Sequence, residues 1–316
     1  MRRRGTLSSL DRAKVHGVGR QNSWNQGDAI HVSTSETWEW CGFLRLKGVI
    51  DMRRLGWVAA GLAVILTLSL GALGEDWNKT FAITGTAELR VETSDAQIHV
   101  DTWDEKKIEA HITSTKWGFG QGGIEVRDHQ TGDSVELEVR FPHGVHIMSI
   151  GDRRTVIEIR MPREGKVRLH TGDGEIRVRD LKGQMELDSG DGRLELEGVD
   201  GTLRAHSGDG HVRVRGRFDS LDVSTSDGRI EVEALAGSSI GQGWTLKTGD
   251  GSVAMTVPGN FAADVTLHTG DGHITLDVPL TVEGRYESND VRGKLNGGGG
   301  RLDIHTGDGS IRLGKS

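Results

Sequence analysis

Residues 167–178 read Val167-Arg168-Leu169-His170-Thr171-Gly172-Asp173-Gly174-Glu175-Ile176-Arg177-Val178. Their centre, Thr171-Gly172-Asp173-Gly174, returns as Ser189-Gly190-Asp191-Gly192, Ser207-Gly208-Asp209-Gly210 and Thr225-Ser226-Asp227-Gly228. It returns again as Thr248-Gly249-Asp250-Gly251, Thr269-Gly270-Asp271-Gly272 and Thr306-Gly307-Asp308-Gly309. The first three intervals are 18 residues and the next two are 23 and 21. The last gap, 37 residues, is divided by Ser288-Asn289-Asp290-Val291 into 19 and 18. Degenerate copies stand at Thr93-Ser94-Asp95-Ala96 and Thr131-Gly132-Asp133-Ser134. A period held this far marks a repeat architecture in which each unit stacks on the next.

Apolar residues alternate on both sides of the motif. Val167 and Leu169, Met185 and Leu187, and Leu203 and Ala205 precede it; Ile176 and Val178, Leu194 and Leu196, and Val212 and Val214 follow it. Period-two alternation places one face of a strand inside and the other in water. Asp-Gly is a turn dipeptide because both residues tolerate left-handed backbone, so the motif glycines are expected to supply positive φ at one corner. Leu181-Lys182-Gly183, Val199-Asp200-Gly201 and Phe218-Asp219-Ser220 mark the opposite turn. The expected fold is all-β: a single β-solenoid with coils of about 18 residues, each of two short strands.

A meander of hairpins would share this alternation, and the outward charges decide between the two. Arg177, Glu195, Arg213 and Glu231 occupy one repeat position, and Arg179, Glu197, Arg215 and Glu233 another. Arg168, Glu186, Arg204 and Asp222 occupy a third. Signs alternate in all three, so parallel stacking at about 4.8 Å brings opposite charges together. Each exposed pair contributes only about 0.2–1 kcal/mol, and the larger effect is on register.

Composition agrees. The chain of 316 residues has 47 Gly but 4 Pro, which excludes collagen and proline-rich linkers. Apolar content is 34%, with one Tyr and 6 Phe, so Val, Ile and Leu must build the core. Residues 55–316 carry 29 Lys/Arg against 41 Asp/Glu, a net of −12, with no basic cluster in the repeats; nucleic acid is not an expected partner. A single cysteine, Cys41, excludes an intrachain disulfide framework and a multi-cysteine zinc site.

Arg53 and Arg54 precede an apolar run of 19 residues, Leu55–Leu73, followed by Glu75 and Asp76, with Ala72 and Gly74 placed for cleavage. This is the layout of a secretory signal, at a length that also suits an uncleaved anchor. Met52 stands where a natural start is expected. The expected organisation is a non-native or disordered extension over 1–51, a signal peptide or signal-anchor helix over 52–74, and a β-solenoid over 75–316. Within the last, 75–165 form irregular first coils with a loop around Lys116–Gly123, and 166–316 form regular coils. Insertions at Ala234–Gly243 and Pro258–Ala263 read as protruding loops, and Gly297–Gly300 as a flexible turn before the last coil.

The string Met161-Pro162 followed by Val167–Ile176, with the closing Leu302-Asp303-Ile304-His305-Thr306-Gly307-Asp308-Gly309-Ser310-Ile311, resembles the bacterial "putative adhesin" family of unknown function over roughly residues 78–316. The resemblance implies a β-helix-like domain at the cell envelope, with no catalytic residues to carry over and 302–311 as the last repeat.

The Asp173, Asp191, Asp209, Asp227, Asp250, Asp271 and Asp308 column is a candidate calcium row. The competing reading is an Asx-type turn in which each carboxylate accepts backbone N–H groups. His170, His206, His268 and His305 share one outward position, with Asp188 between the first two; alternate coils hold them roughly 9–10 Å apart, too far for one ion, so they read as a polar ladder. Trp77, Trp103, Trp117 and Trp244 are candidates for a carbohydrate-stacking patch or for end and loop packing. No nucleophile elbow, HExxH or P-loop occurs. The expectation is an exported structural or interaction protein without cofactor or catalysis, outside the cytoplasm in periplasm, surface or membrane-anchored form. Its partner would be an envelope protein or a glycan. The alternatives are a polysaccharide-acting enzyme and a self-assembling scaffold driven by uncapped coil edges.

Overall fold

The computed structural model describes residues 76–115, 117–142, 154–282 and 288–316, all within the compact unit Ala72–Ser316. The expected extension over 1–51 and the signal or anchor helix over 52–74 lie outside the described residues. Among the described residues no helix is long and apolar enough to cross a membrane. What is described is all-β: an open sheet of many strands, with turns between them.

The alternating pattern becomes parallel ladders at the repeat interval. Met185 of strand Lys182–Ser189 faces Val167 on one side and Leu203 on the other. Leu194 faces Ile176 and Val212. Inward residues of successive units therefore stack on one another, and Leu169, Ile176, Leu187, Leu194 and Leu196 are at most 1% exposed. Each contributes about 1.5–3 kcal/mol by leaving water. The two expected strands per unit merge in places. Leu194–Ser207 and Val212–Thr225 run 14 residues each, passing the second corner with register shifts at Glu197/Val199 and Gly201/Thr202. The corner there is a bulge-type bend, which keeps the ladder going while turning the strand.

Chain order and stacking order differ at both ends. Leu89 faces Val135 on one side and Val167 on the other, and Ile98 faces Ile157 and Ile176. The unit 87–103 is thus packed between the strands Ser134–Arg140 and Thr155–Pro162 on one side and 164–179 on the other, not placed first as sequence order suggests. At the other end Leu302 faces Trp244 and Val265, and Ile311 faces Val253 and Ile274. The last unit in sequence, 302–313, is inserted one place from the end. Units that present the same apolar spacing and the same ladder are interchangeable neighbours, and local pattern does not say which one a given unit meets.

Antiparallel strands cover both ends. Glu125–Thr131 lies on Ser134–Arg140 and Lys107–Ser114 on Thr155–Pro162, with Trp77–Ala82 paired in turn on Lys107–Ser114. Opposite them, Asp290–Leu295 lies antiparallel on Ala263–Thr269, and Leu280–Val282 on it. The Ser288–Val291 copy is therefore no corner of its own. The carbonyls of Asn289 and Ser288 accept from Thr269 N (2.9 Å) and Ile274 N (3.2 Å), closing the corner of the terminal unit. Gly297 and Gly298 sit with positive φ in the turn from this covering strand into Gly300–Thr306.

The motif works differently from the expectation. In the seven full copies its glycines are absent from the positive-φ positions, which in the regular units fall at Gly183 (φ 137°), Gly201 (φ 129°) and Gly198 (φ 68°) on the opposite side of the unit; of the degenerate copies, Gly132 has positive φ (61°). Gly192 is required by space: a Cβ there would meet the Gly174 carbonyl oxygen and Ser189 Oγ well under the 3.0 Å that real Cβ atoms keep. The hydroxyl makes the turn. Gly192 N–H donates to Ser189 Oγ (3.1 Å), and that hydroxyl donates to Gly174 O of the neighbouring unit (3.2 Å). The same pair of bonds recurs at Ser207, Thr225, Thr248, Thr306 and Thr269. All these hydroxyl residues are at most 7% exposed.

Gly192→Ala is expected to lower stability by roughly 1–3 kcal/mol through forced displacement of the neighbouring unit. Gly314→Ala, whose nearest heavy atom is 3.9 Å away, should stay within about 0.5 kcal/mol. Thermal melts of the two variants check this, and equal melts would refute the close-approach account. Ser207→Ala leaves Gly210 N–H and Gly192 C=O unpaired and should cost about 1–3 kcal/mol, whereas Ser207→Thr, the residue used in other units, should be near neutral.

Candidate interaction surface

The outward side of the strands carries the residues singled out by sequence. Arg177 Nε is 3.1 Å from Glu195, Arg213 Nη2 2.8 Å from Glu231 and Arg215 Nε 3.1 Å from Glu233. Arg168 Nε is 2.9 Å from Glu186 and Arg204 Nε 3.6 Å from Asp222. The rows are broken into pairs: each of these arginines reaches one neighbouring strand, in the same direction, and Arg177 also reaches Glu175 of its own unit (2.6 Å). Arg179 departs from the pattern. It is next to Glu197 in register but its Nη1 lies 3.9 Å from Asp101 of unit 87–103. The interposed unit supplied a partner that sequence order could not show. Hydrogen bonding from Arg213 holds the Glu231 carboxyl below its ordinary range, and Arg217, bonded to both Asp200 (2.6 Å) and Asp219 (2.8 Å), does the same for Asp219.

The aspartate column lies outside the corner. Asp191 N–H donates to Gly172 O (3.1 Å) and Asp209 N–H to Gly190 O (3.3 Å), so the backbone of these residues locks the corner. The carboxylates of Asp173, Asp191, Asp209, Asp227, Asp250, Asp271 and Asp308 have no hydrogen-bond or ion-pair partner among the described residues. The Asx-type role belongs to the Ser/Thr hydroxyl, which is buried beside the N–H it accepts. Among the described residues no three or more His, Cys, Asp or Glu side chains are grouped to hold a metal.

The histidine position forms a row that includes residues not identified from sequence: His170, Asp188, His206, Ser224, Lys247 and His305 follow one another in register. His170 Nδ1 is 3.2 Å from Asp188, and His206 Nδ1 3.0 Å from Ser224. His268 and His305 are direct neighbours, with ring centroids 6.0 Å apart, because their units are adjacent in space. Burial pushes the His305 imidazole down. His268 Nδ1 meets Asp290 of the covering strand at 3.3 Å.

The tryptophans do not form a shared face. Trp244 is fully buried, between Phe261 (4.9 Å) and Phe218 (6.1 Å), where the insertions enter the core. Trp103 donates to Lys107 O (3.0 Å), and Trp77 and Trp117 pack partly buried against the core. Trp244 is thereby removed from any stacking patch; an aromatic inside a narrow stack fills volume that Val and Leu leave.

A feature not anticipated from sequence is a groove of about 410 Å³. One wall is the row Ser134, Glu88, Lys166, Gln184, Thr202 and Ser220, consecutive in register across six strands. The other is Glu136, Arg90, Arg168, Glu186, Arg204 and Asp222, two residues further along the same strands. Between them the bottom is formed by strand positions whose side chains point into the core, such as Leu89, Val167, Met185 and Leu203. The signal for it was present as alternation; the missing step was that Glu88 and Glu136 join these rows at all.

If the aspartate column contributes only like-charge repulsion, Asp209→Ala raises the melting temperature slightly, and the gain disappears in about 1 M salt, where the Debye length is about 3 Å. A lower melting temperature would return the turn-forming role to the carboxylate.

Residues 84–314 match the family described as Toastrack DUF4097. No curated protein matches the chain. Among solved structures, a "putative cell adhesion protein" from Clostridium sporogenes is 14% identical with a TM-score of 0.40, covering 77% of this chain and 100% of that one. A "putative lipid binding protein" from Parabacteroides distasonis is 14% identical with a TM-score of 0.39, covering 76% and 97%. A "putative adhesin" from Bacteroides fragilis is 9% identical with a TM-score of 0.30, covering 75% and 96%. The family match spans nearly all of the region in which the repeats suggested a resemblance: the chain belongs to the Toastrack DUF4097 family.

Proposed function

We propose that this protein is a non-catalytic interaction module of the cell envelope: a β-solenoid exported behind the 52–74 segment, whose outer faces hold another envelope component. The single observation that carries the reading is the outer surface itself. Side-chain rows continue in register across six strands and are open to solvent, with Arg168–Glu186 and Arg204–Asp222 tied in pairs across neighbouring strands. Hydrolysis of a glycan by paired acids needs two carboxyl groups facing each other across a substrate, one of them free to hold a proton. Here Glu186, Glu195, Glu231 and Glu233 each lie against an arginine, and at Glu231 the Arg213 hydrogen bond holds the carboxyl below its ordinary range. End-to-end assembly draws on open ladder edges, and antiparallel strands cover both ends of this stack. The basic-then-apolar layout of Arg53, Arg54 and Leu55–Leu73 supports a place outside the cytoplasm.

Fractionation of cells producing the native protein, with N-terminal sequencing, tests the location. Recovery outside the cytoplasm, starting at Glu75 or retaining residues 52–74, is the expected outcome; recovery in the cytosol would refute export. Incubation of the purified chain with envelope fractions should retain it without consuming any glycan. Turnover would favour the enzyme, and concentration-dependent polymers in sedimentation the scaffold.

A further inference from the structure

We propose that the groove between the two side-chain rows is a binding site for a neutral, hydroxyl-rich glycan chain lying along the stack, across the strands. The inference rests on the envelope-binding reading and names the ligand class for one face of it.

Shape comes first. The groove crosses six strands, and five intervals of about 4.8 Å make it roughly 24 Å long. Its walls repeat at every strand, so it suits a linear polymer of similar units rather than a compact ligand. It continues into a second hollow of about 290 Å³ that shares Arg90 and Glu136 and reaches Arg127, Asp128 and His129 of the covering hairpin.

Charge narrows the polymer. Arg90, Arg168, Arg204 and Lys166 line the groove against Glu88, Glu136, Glu186 and Asp222. The signs balance, and Arg168–Glu186 and Arg204–Asp222 are paired at 2.9 and 3.6 Å. Arg90 is held by Glu92 of its own strand, so among the described groove residues Lys166 is the one cation without an ion-pair partner, against Glu88 and Glu136 at one end. A polyanion would need a run of unpaired cations along the groove, and a polycation a run of unpaired carboxylates. Over Gln184, Thr202 and Ser220 one wall carries no charge at all.

Apolar partners do not fit either. Among the described residues Val282 is the exposed large hydrophobic side chain, and it is not in the groove. Protein interfaces are built on an apolar, often aromatic centre, and lipid contact needs apolar area. What the groove offers is donors and acceptors side by side: guanidinium and amide N–H groups next to carboxylate and hydroxyl oxygens. Neighbouring hydroxyls on a sugar ring, each a donor and an acceptor, match that alternation. The ion pairs hold their side chains in place beforehand, which lowers the ordering cost of binding.

The test uses the full chain and calorimetric titration with short neutral oligosaccharides from glucan, mannan and galactan, with a polyuronate and a chitosan oligomer as charged probes. At least one neutral oligosaccharide should bind. Gln184→Trp, which fills the groove from an exposed strand position, should weaken it by about tenfold or more, and Arg168→Ala with Glu186→Ala, which removes both partners of one pair, should weaken it as well. Arg213→Ala with Glu231→Ala, outside the groove, should leave it unchanged. Binding of the charged probes alone, binding indifferent to both groove variants, or no binding to any neutral oligosaccharide would overturn the proposal. Retention by envelope fractions that survives the loss of glycan binding, and is abolished by protease treatment of those fractions, would leave the envelope reading standing with a protein partner in place of the glycan.

Discussion

The corner at which one unit rests on the next carries the structure. There the chain turns with Gly N–H bonded to a Ser or Thr hydroxyl three residues earlier, and the same hydroxyl donates to a glycine carbonyl in the adjoining unit. One buried oxygen thus satisfies a donor within the turn and an acceptor in the next layer. Leaving either unpaired would cost about 1–3 kcal/mol. The arrangement works only if the backbones approach closely, and that is what excludes a Cβ at Gly174, Gly192 and Gly210. Spacing at the corner then sets spacing along the strands, which puts the inward Val, Leu and Ile in contact and the outward charged residues within ion-pair range.

Once the corner is fixed, the units behave as interchangeable layers. The fold uses this at both ends, where a unit is inserted out of sequence order and a strand of opposite direction covers the edge. The consequences reach the surface. Arg179 pairs with Asp101, and His268 stands beside His305, because of which units are neighbours. The groove likewise exists because the strand Ser134–Arg140 and the unit 87–103 extend the rows begun by the regular repeats.

The reading from sequence was strongest where the period was strict. The alternation at Val167, Leu169, Ile176 and Val178 and its 18-residue copies specified strands, inward faces and parallel register, and the alternating signs at Arg168, Glu186, Arg204 and Asp222 matched observed pairs. It misread the motif's chemistry. Asp and Gly have well-known turn preferences, which pointed to the carboxylate and to positive φ. The structure uses a hydroxyl and bare backbone, because the corner is a buried contact between layers and not an isolated turn. It also buried Trp244 among Phe218 and Phe261, where widely separated aromatics meet only after the insertions fold in.

By itself the sequence determined the all-β class, the repeat length, which residues face inward, and the family resemblance, since each follows from spacing along a strand and spacing is local. The tertiary structure decided the order of the layers, the covering of the ends, the partners of Arg179 and His268, and the two walls of the groove. Those depend on which of several equivalent units meet. Equivalent units carry the same pattern, so the choice among them lies in contacts between segments far apart in the chain.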